Sequence, residues 1–355
     1  MRIAQVAPLF EPVPPCGYGG TERVVSYLTE ELVSQGHEVT LFASADSRTG
    51  AALVPCAERA LRTDPDCVDA IALHVVMAER VFRQAEYFDV IHAHVDYLAY
   101  SLARRTSTPT VTTLHGRLDL PQLAPVYEEF AEQNVVSISD AQRTPLPWLR
   151  WAGTVHHGLP ADLYRLHPRA GDYLAFVGRI SPEKRVDRAI EIAERAGMEL
   201  RVAAKIDKVD RDYYRDVIEP LVRRNPRVVL LPEIDDAAKD EFLGNAYATM
   251  FPIDWPEPFG LLMIESMACG TPVVAWSCGS VPEVIENGVT GYVCTSIDEA
   301  VRAVEEVATI DRAECRYAFE QRFTAERMAH DYVRIYERLA CADAEAEVSH
   351  MSDVA

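Results

Sequence analysis

The stretch FPIDWPEPFGLLMIESMACGTPVVA, residues 251–275, sets Glu257 and Glu265 eight residues apart around a Pro-Phe-Gly entry into an apolar run. An ionised carboxylate is costly to bury without partners, so two of them along one apolar helix call for a polar ligand beside it. A helix starting near Phe259–Gly260 puts Glu257 on the approach and Glu265 two turns in. Eight helical residues span roughly 12 Å, which is long for a carboxylate pair acting on one glycosidic bond. It suits an elongated ligand held at both ends. Gly260 lets the backbone come close to such a ligand, and the N–H groups at a helix start can cradle a phosphate. A sugar joined through a diphosphate to a nucleoside has this layout.

A second stretch, FVGRISPEKRVD at 176–187, places Arg179 at the carboxyl end of a strand, Ser181-Pro182 as N-cap and N1 of a helix, and Lys184 in that helix's first turn. A cation is disfavoured at the positive end of a helix dipole. Its presence there points to an anion that Arg179 and Lys184 both reach; a solvated surface pair is the alternative. Lys205 ends the strand ELRVAAK and is a candidate for phosphate or acceptor, or a plain surface lysine. Gly19 and Gly20 follow an irregular loop with Pro12, Pro14, Pro15 and Gly17. Glycines at a strand-to-helix turn are recurrent phosphate contacts, though an ordinary turn would use them too.

In IHAHVDY, 91–97, His92 and His94 share one face of a strand, with no further ligand nearby in sequence. His94 and Asp96 read better as acceptor-side residues than as metal ligands. Two Asp-x-Asp patterns, TDPDC and VDRDY, lie in a loop and at a helix start, outside the other motifs, and are discounted as metal sites. The expected metal count is zero.

Strands alternate with helices in both halves. RIAQVAP, HEVTLFA, DVIHAH, TPTVTTLHG and NVVSISD make the first set; DYLAFVGRI, ELRVAAK, RVVLLPE, ATMFPI and PVVAW make the second. Such alternation indicates βαβ units and parallel sheets. The expected organisation is an α/β protein of two doubly wound, Rossmann-like domains facing across a cleft, with ligands outside the carboxyl ends of the strands. The expected boundaries are 1–157 for the first domain, 158–170 for a linker and 171–323 for the nucleotide-sugar domain. Residues 324–341 form a helix packing back on the first domain, and 342–355 a disordered acidic tail.

The chain has 355 residues, 48% hydrophobic and 25% charged, with a formal charge of −20. That charge argues against nucleic acid or an anionic membrane surface as partner, and no lysine precedes Lys184. No apolar run approaches the roughly 20 residues of a spanning helix. MRIAQVAPLF reads as a first strand and not a signal peptide. The eight cysteines lack finger spacing and are expected to be reduced thiols, mostly core, in a cytoplasmic protein.

EPFGLLMIE resembles the E-x7-E element of the family 4 retaining glycosyltransferases, which have the GT-B fold. The resemblance continues through GRISPEKRVD, MACGTPVVA, GSVPEVIENGVTGYV and YGGTERVVSYLTEELVSQGHEVTLFAS, in the family's order and over residues 1 to about 340. YGGTERVV with AAKID resembles the branch that includes a transferase of orthosomycin antibiotic assembly. The resemblance implies that Arg179 and Lys184 bind the donor diphosphate and that Glu265 holds the ribose hydroxyls. It implies that Glu257 holds a donor-sugar hydroxyl, helped by the amides of Phe259, Gly260, Leu261 and Leu262. Gly19-Gly20 would approach the diphosphate, and His115 would sit beside the donor sugar. His156-His157 depart from the family's usual Asn before Gly, which puts a donor role there in doubt. The implied reaction is metal-independent, retaining, front-face transfer of a hexose from a nucleotide sugar, UDP favoured, to a hydroxyl acceptor, with no cofactor. A nucleotide-sugar epimerase of the same fold, or a non-catalytic sugar-binding protein, is the alternative.

Overall fold

The computed structural model describes residues 1–17 and 19–353, the last twelve of these as helical backbone only. It divides into two units, Met1–Gly158 with Ala325–Ala355, and Leu159–Thr324.

The first unit carries a seven-stranded parallel sheet in the order β3-β2-β1-β4-β5-β6-β7. Its strands are β1 Arg2–Val6, β2 Glu38–Ser44, β3 Ala52–Ala57, β4 Val90–Ala93, β5 Thr110–Thr113, β6 Asn134–Ser137 and β7 Trp151–Thr154. The second unit carries six parallel strands in the order β10-β9-β8-β11-β12-β13. These are β8 Tyr173–Arg179, β9 Glu199–Lys205, β10 Val228–Leu231, β11 Ala248–Phe251, β12 Val273–Trp276 and β13 Gly291–Cys294. Central strands are buried on both faces, β4, β5 and β11 at every residue, which is why they read as short apolar runs without alternation. β3, β7 and β13 escaped the sequence reading; β3 and β7 are only partly buried edge strands.

In each sheet the chain winds outward from one central strand and then from the other side of it. The switch points lie between β1 and β4 and between β8 and β11. Ligands of doubly wound sheets bind beyond the carboxyl ends of the strands at such points. The candidate residues fall there: Arg179 ends β8, residues 252–260 follow β11, residues 7–19 follow β1, and His94 follows β4.

One local expectation is corrected. Pro182–Lys184 is a single 3-10 turn; Arg185 then adopts a left-handed conformation (φ 55°) before the helix Val186–Ala196 begins. Lys184 is therefore not in the first turn of an α-helix, and the dipole argument for it lapses. Arg185 is fixed by Asp187 at 2.8 Å and Asp254 at 2.7 Å. The helical stretch that follows β9 contains a π-helical segment, Tyr214–Ile218.

Of the expected linker, 158–170, residues 159–170 are held on the second unit. Arg316 donates to the carbonyls of Ala161 at 2.6 Å and Tyr164 at 2.7 Å, and Arg312 donates to that of His167 at 2.6 Å. The closing helix is Ala325–Asp353, longer than expected. Residues 342–353, expected in a disordered acidic tail, continue this helix as backbone, while residues 354–355 and the side chains of 342–353 lie outside the described residues. All eight cysteines are free; Cys56, Cys269, Cys294 and Cys315 are buried, and Cys16 and Cys341 exposed.

Candidate active site

In the second unit, β8 and β9 end in register, so Arg179 and Lys205 stand side by side at the sheet's carboxyl edge. Carboxylates surround them. Arg179 pairs with Glu183, lies 3.4 Å from Asp210 and 3.7 Å from Asp207, and Lys205 lies 3.3 Å from Asp207. Asp210 belongs to the VDRDY pattern that the sequence reading set aside; the structure brings it to the arginine. Its signal in sequence was only its place in the segment that follows β9.

Lys184 reaches a different carboxylate. Its Nζ lies 2.6 Å from Glu257 Oε2, and the same oxygen accepts the indole N–H of Trp255 at 3.0 Å. The ammonium lies 5.0 Å from the Trp255 ring centre and 5.6 Å from that of Phe251, within cation–π range. Arg179 and Lys184 thus pair with separate acids.

A turn from the far side of β12 supports Glu257. Ser280 donates its backbone N–H to Glu257 O at 3.0 Å, and its hydroxyl to Phe259 O at 2.8 Å. A Cβ at Gly279 (φ 56°) would stand 2.3 Å from Glu257 O and 2.5 Å from Glu257 N. That is backbone on backbone, with nothing flexible to yield. Gly279→Ala should therefore lower thermal stability and displace the Glu257 segment. Differential scanning fluorimetry and nucleotide binding report the two; a variant with native stability and affinity would contradict the close packing.

Gly260 (φ 80°) caps the helix Leu261–Ala268, whose first N–H groups no side chain caps. A Cβ at Gly260 would meet Met263 Cε at 2.9 Å and Phe251 Cζ at 3.0 Å. Phe259 is buried and Leu261 half-buried, while Leu262 lies at the edge of the core. The helix begins later than expected, so Glu265 sits in its second turn. Glu265 is buried and balanced by Lys239, from the helix Asp236–Gly244, at 2.9 Å. Lys239 also lies 3.3 Å from Asp236. The sequence reading missed Lys239, because nothing in a helix periodicity marks which residue meets a carboxylate 26 positions away. Losing the cation leaves a buried carboxylate without its charge partner, a strongly unfavourable state. Lys239→Met and Glu265→Ala should each weaken nucleotide binding, about tenfold or more for a lost charge-assisted bond. Calorimetry checks this, and native affinity in both would remove Glu265 from the site.

In the first unit, Gly19 (φ 143°) caps the helix Gly20–Ser34, with Pro15 packed where its Cβ would be, 2.9 Å away. Arg23 ties the loop down through Gly17 O at 2.7 Å. Asp96 is exposed, in a left-handed conformation (φ 48°). His115 lies just past β5, half-buried, and its ring meets two other histidines. His94 Nδ1 is 2.9 Å from His115 Nε2, and the His157 ring stacks on it with centres 5.4 Å apart. Burial lowers the pKa of His115 to about 3 and holds His92, His94 and His157 well below the usual histidine range. All four are neutral at physiological pH. His94 was expected to face an acceptor; it is buried, and its second nitrogen meets Gln5 Oε1 at 2.8 Å. Both ring nitrogens are taken up internally, so His94 supports His115 in place of touching a ligand.

Among the described residues, one group of three side chains has metal-ligand spacing, His167, Asp240 and Glu241. Arg165 already lies 2.8 Å from Asp240 and 2.6 Å from Glu241, so the negative charge there is matched from within the chain. No helix of the described residues is long and apolar enough to cross a membrane.

Residues 18–157 match the family model "Glycosyltransferase Family 4", and residues 166–322 match "Glycosyl transferases group 1". The chain is 26% identical to D-inositol 3-phosphate glycosyltransferase of Mycolicibacterium smegmatis over 94% of its own length and 91% of that protein's. Its fold is similar to that of AviGT4, a glycosyltransferase involved in avilamycin A biosynthesis, with TM-score 0.74 and 23% identity over 96% of this chain and 98% of that one. It is also similar to Anabaena Alr3699/HepE in complex with UDP-glucose, with TM-score 0.71 and 19% identity over 96% of this chain and 100% of that one. With one glycosyltransferase model on each sheet and parallel strands wound in the Rossmann order, the chain belongs to the glycosyltransferases of GT-B fold.

Proposed function

We propose that this glycosyltransferase moves a hexose from a nucleoside-diphosphate sugar, UDP in preference, to an acceptor hydroxyl with retention of anomeric configuration and without a metal. The observation that carries the reading is that Arg179 and Lys205 end neighbouring strands at the carboxyl edge of the second sheet, while Lys184, in the turn after β8, pairs with Glu257 on the approach to a helix start without a side-chain cap. Three cations and a set of N–H dipoles match a diphosphate, and they stabilise best the charge that grows as the diphosphate leaves. Glu265 accepts from ribose hydroxyls and Glu257 from a sugar hydroxyl. UDP is favoured because a protein of the same fold has been solved with UDP-glucose.

In the transfer, the acceptor oxygen bonds to the anomeric carbon on the face from which the diphosphate departs. The carbon–oxygen bond to phosphate breaks, and the acceptor proton passes to the departing phosphate oxygen. Positive side chains here do the work that a divalent cation does in other transferases. The acceptor is a hydroxyl compound that residues of the first unit, Asp96 among them, would read.

Calorimetric titration of UDP, GDP, ADP and dTDP in the presence of a chelator tests the reading. UDP should bind most tightly, and the anomeric configuration of the product, read by NMR, should equal that of the donor. Failure of every nucleotide to bind overturns it, and an inverted product overturns the stereochemical part alone.

A further inference from the structure

Gln5 is a polar residue in β1, an interior strand of the first sheet, and it is wholly buried, as are His92 on the adjacent β4 and Thr113 on β5 beyond it. Gln5 and His92 are register partners. Tyr332 and Tyr336, also wholly buried, reach them from the helix Ala325–Asp353. Burying six polar side chains is unfavourable unless each finds its complement, and here Gln5, His92, His94, Thr113, Tyr332 and Tyr336 form one chain that ends on the half-buried His115. Tyr332 OH lies 2.9 Å from Thr113 Oγ1, and Thr113 Oγ1 lies 2.7 Å from His92 Nε2. Next, His92 Nδ1 is 2.6 Å from Tyr336 OH, and Tyr336 OH is 3.3 Å from Gln5 Nε2. Gln5 Oε1 then meets His94 Nε2 at 2.8 Å, and His94 Nδ1 meets His115 Nε2 at 2.9 Å.

The proton positions follow link by link. A carboxamide oxygen only accepts, so His94 carries its proton on Nε2. A neutral His94 then offers a bare Nδ1, which accepts from His115 Nε2–H. At the other end, a 2.6 Å separation is short for an N–H donor and ordinary for an O–H donor. Tyr336 therefore donates to His92 Nδ1, and His92 Nε2–H donates to Thr113, whose hydroxyl donates to Tyr332. Tyr336 accepts from the Gln5 amide, which closes the sequence without a conflict.

We propose that this chain, anchored by the C-terminal helix, holds His115 as the Nε2–H tautomer and keeps its Nδ1 as a hydrogen-bond acceptor for a substrate hydroxyl. Gln5, His92, His94 and Tyr336 are positioning residues. The role of His115 toward substrate rests on the function proposed above, whereas its tautomer does not. Reversing the Gln5 amide would reverse every link and give His115 an Nδ1–H instead, which could only donate.

Nitrogen-15 spectra of histidine-labelled full-length protein at neutral pH distinguish the two tautomers directly. His92, His94 and His115 should all show a protonated Nε2. In Gln5→Met the constraint on His94 is lost, and His115 should become a mixture of tautomers; Tyr336→Phe, a milder change, should shift His92 first. Turnover of the donor sugar should fall about tenfold in Gln5→Met, the size of one lost hydrogen bond, with nucleotide affinity unchanged. A native His115 protonated on Nδ1 overturns the proposal, as does a His115 tautomer indifferent to both variants. Nucleotide titration of the native protein reads the donor assignment separately, so a failure there is not confused with a failure of the tautomer.

Discussion

Arg179→Ala is expected to lower kcat by about 10²–10³-fold, the range for loss of one group that stabilises charge developing in the transition state, while nucleotide affinity changes far less. The asymmetry follows from the carboxylates around the side chain. Glu183, Asp207 and Asp210 all engage Arg179. A diphosphate that binds Arg179 must loosen those pairs, so the ground-state gain is offset. As the sugar–phosphate bond breaks, negative charge on the phosphate grows and the exchange becomes favourable. An interaction stronger in the transition state than in the ground state appears in kcat. Steady-state kinetics beside calorimetry separate the two, and equal losses in affinity and turnover would make Arg179 an ordinary binding residue.

Lys184→Ala should behave in the opposite way, weakening UDP by about 10- to 100-fold, as expected for a lost charge-assisted hydrogen bond, in a protein that still folds. Two effects add. The phosphate loses its cation, and Glu257, little exposed and paired with Lys184 at 2.6 Å, keeps only the Trp255 N–H as its named donor. Its uncompensated charge then repels the incoming diphosphate. Adding Glu257→Gln to the lysine variant should therefore recover part of the lost UDP affinity. A double-mutant cycle measures that coupling. Unchanged affinity in Lys184→Ala would remove the 3-10 turn from the donor site.

The sequence by itself determined the class of fold and singled out the residues of which the candidate site is built. Apolar runs in the central strands, helices of ordinary length between them, and Gly260 before an apolar helix are local signals, because burial and backbone freedom act on consecutive residues. Arg179, Lys184, Lys205, Glu257 and Glu265 were legible for a related reason: a charge just past an apolar strand, or within an apolar helix, contradicts its surroundings. Tertiary structure alone decided the strand order, which set Arg179 and Lys205 side by side at the carboxyl edge of the second sheet, and the partners that each charge has. Asp210 beside Arg179, Lys239 under Glu265, and Gly279 against the Glu257 backbone are pairs 22 to 31 positions apart. The left-handed Arg185 was equally hidden, since a non-glycine residue takes that conformation only when neighbours such as Asp187 and Asp254 hold it. His115 shows the division most plainly. Its place after a strand is local, but its proton depends on Gln5 and on tyrosines more than 200 positions away, and hydrogen bonds across a sheet leave no mark on the spacing of residues along the chain.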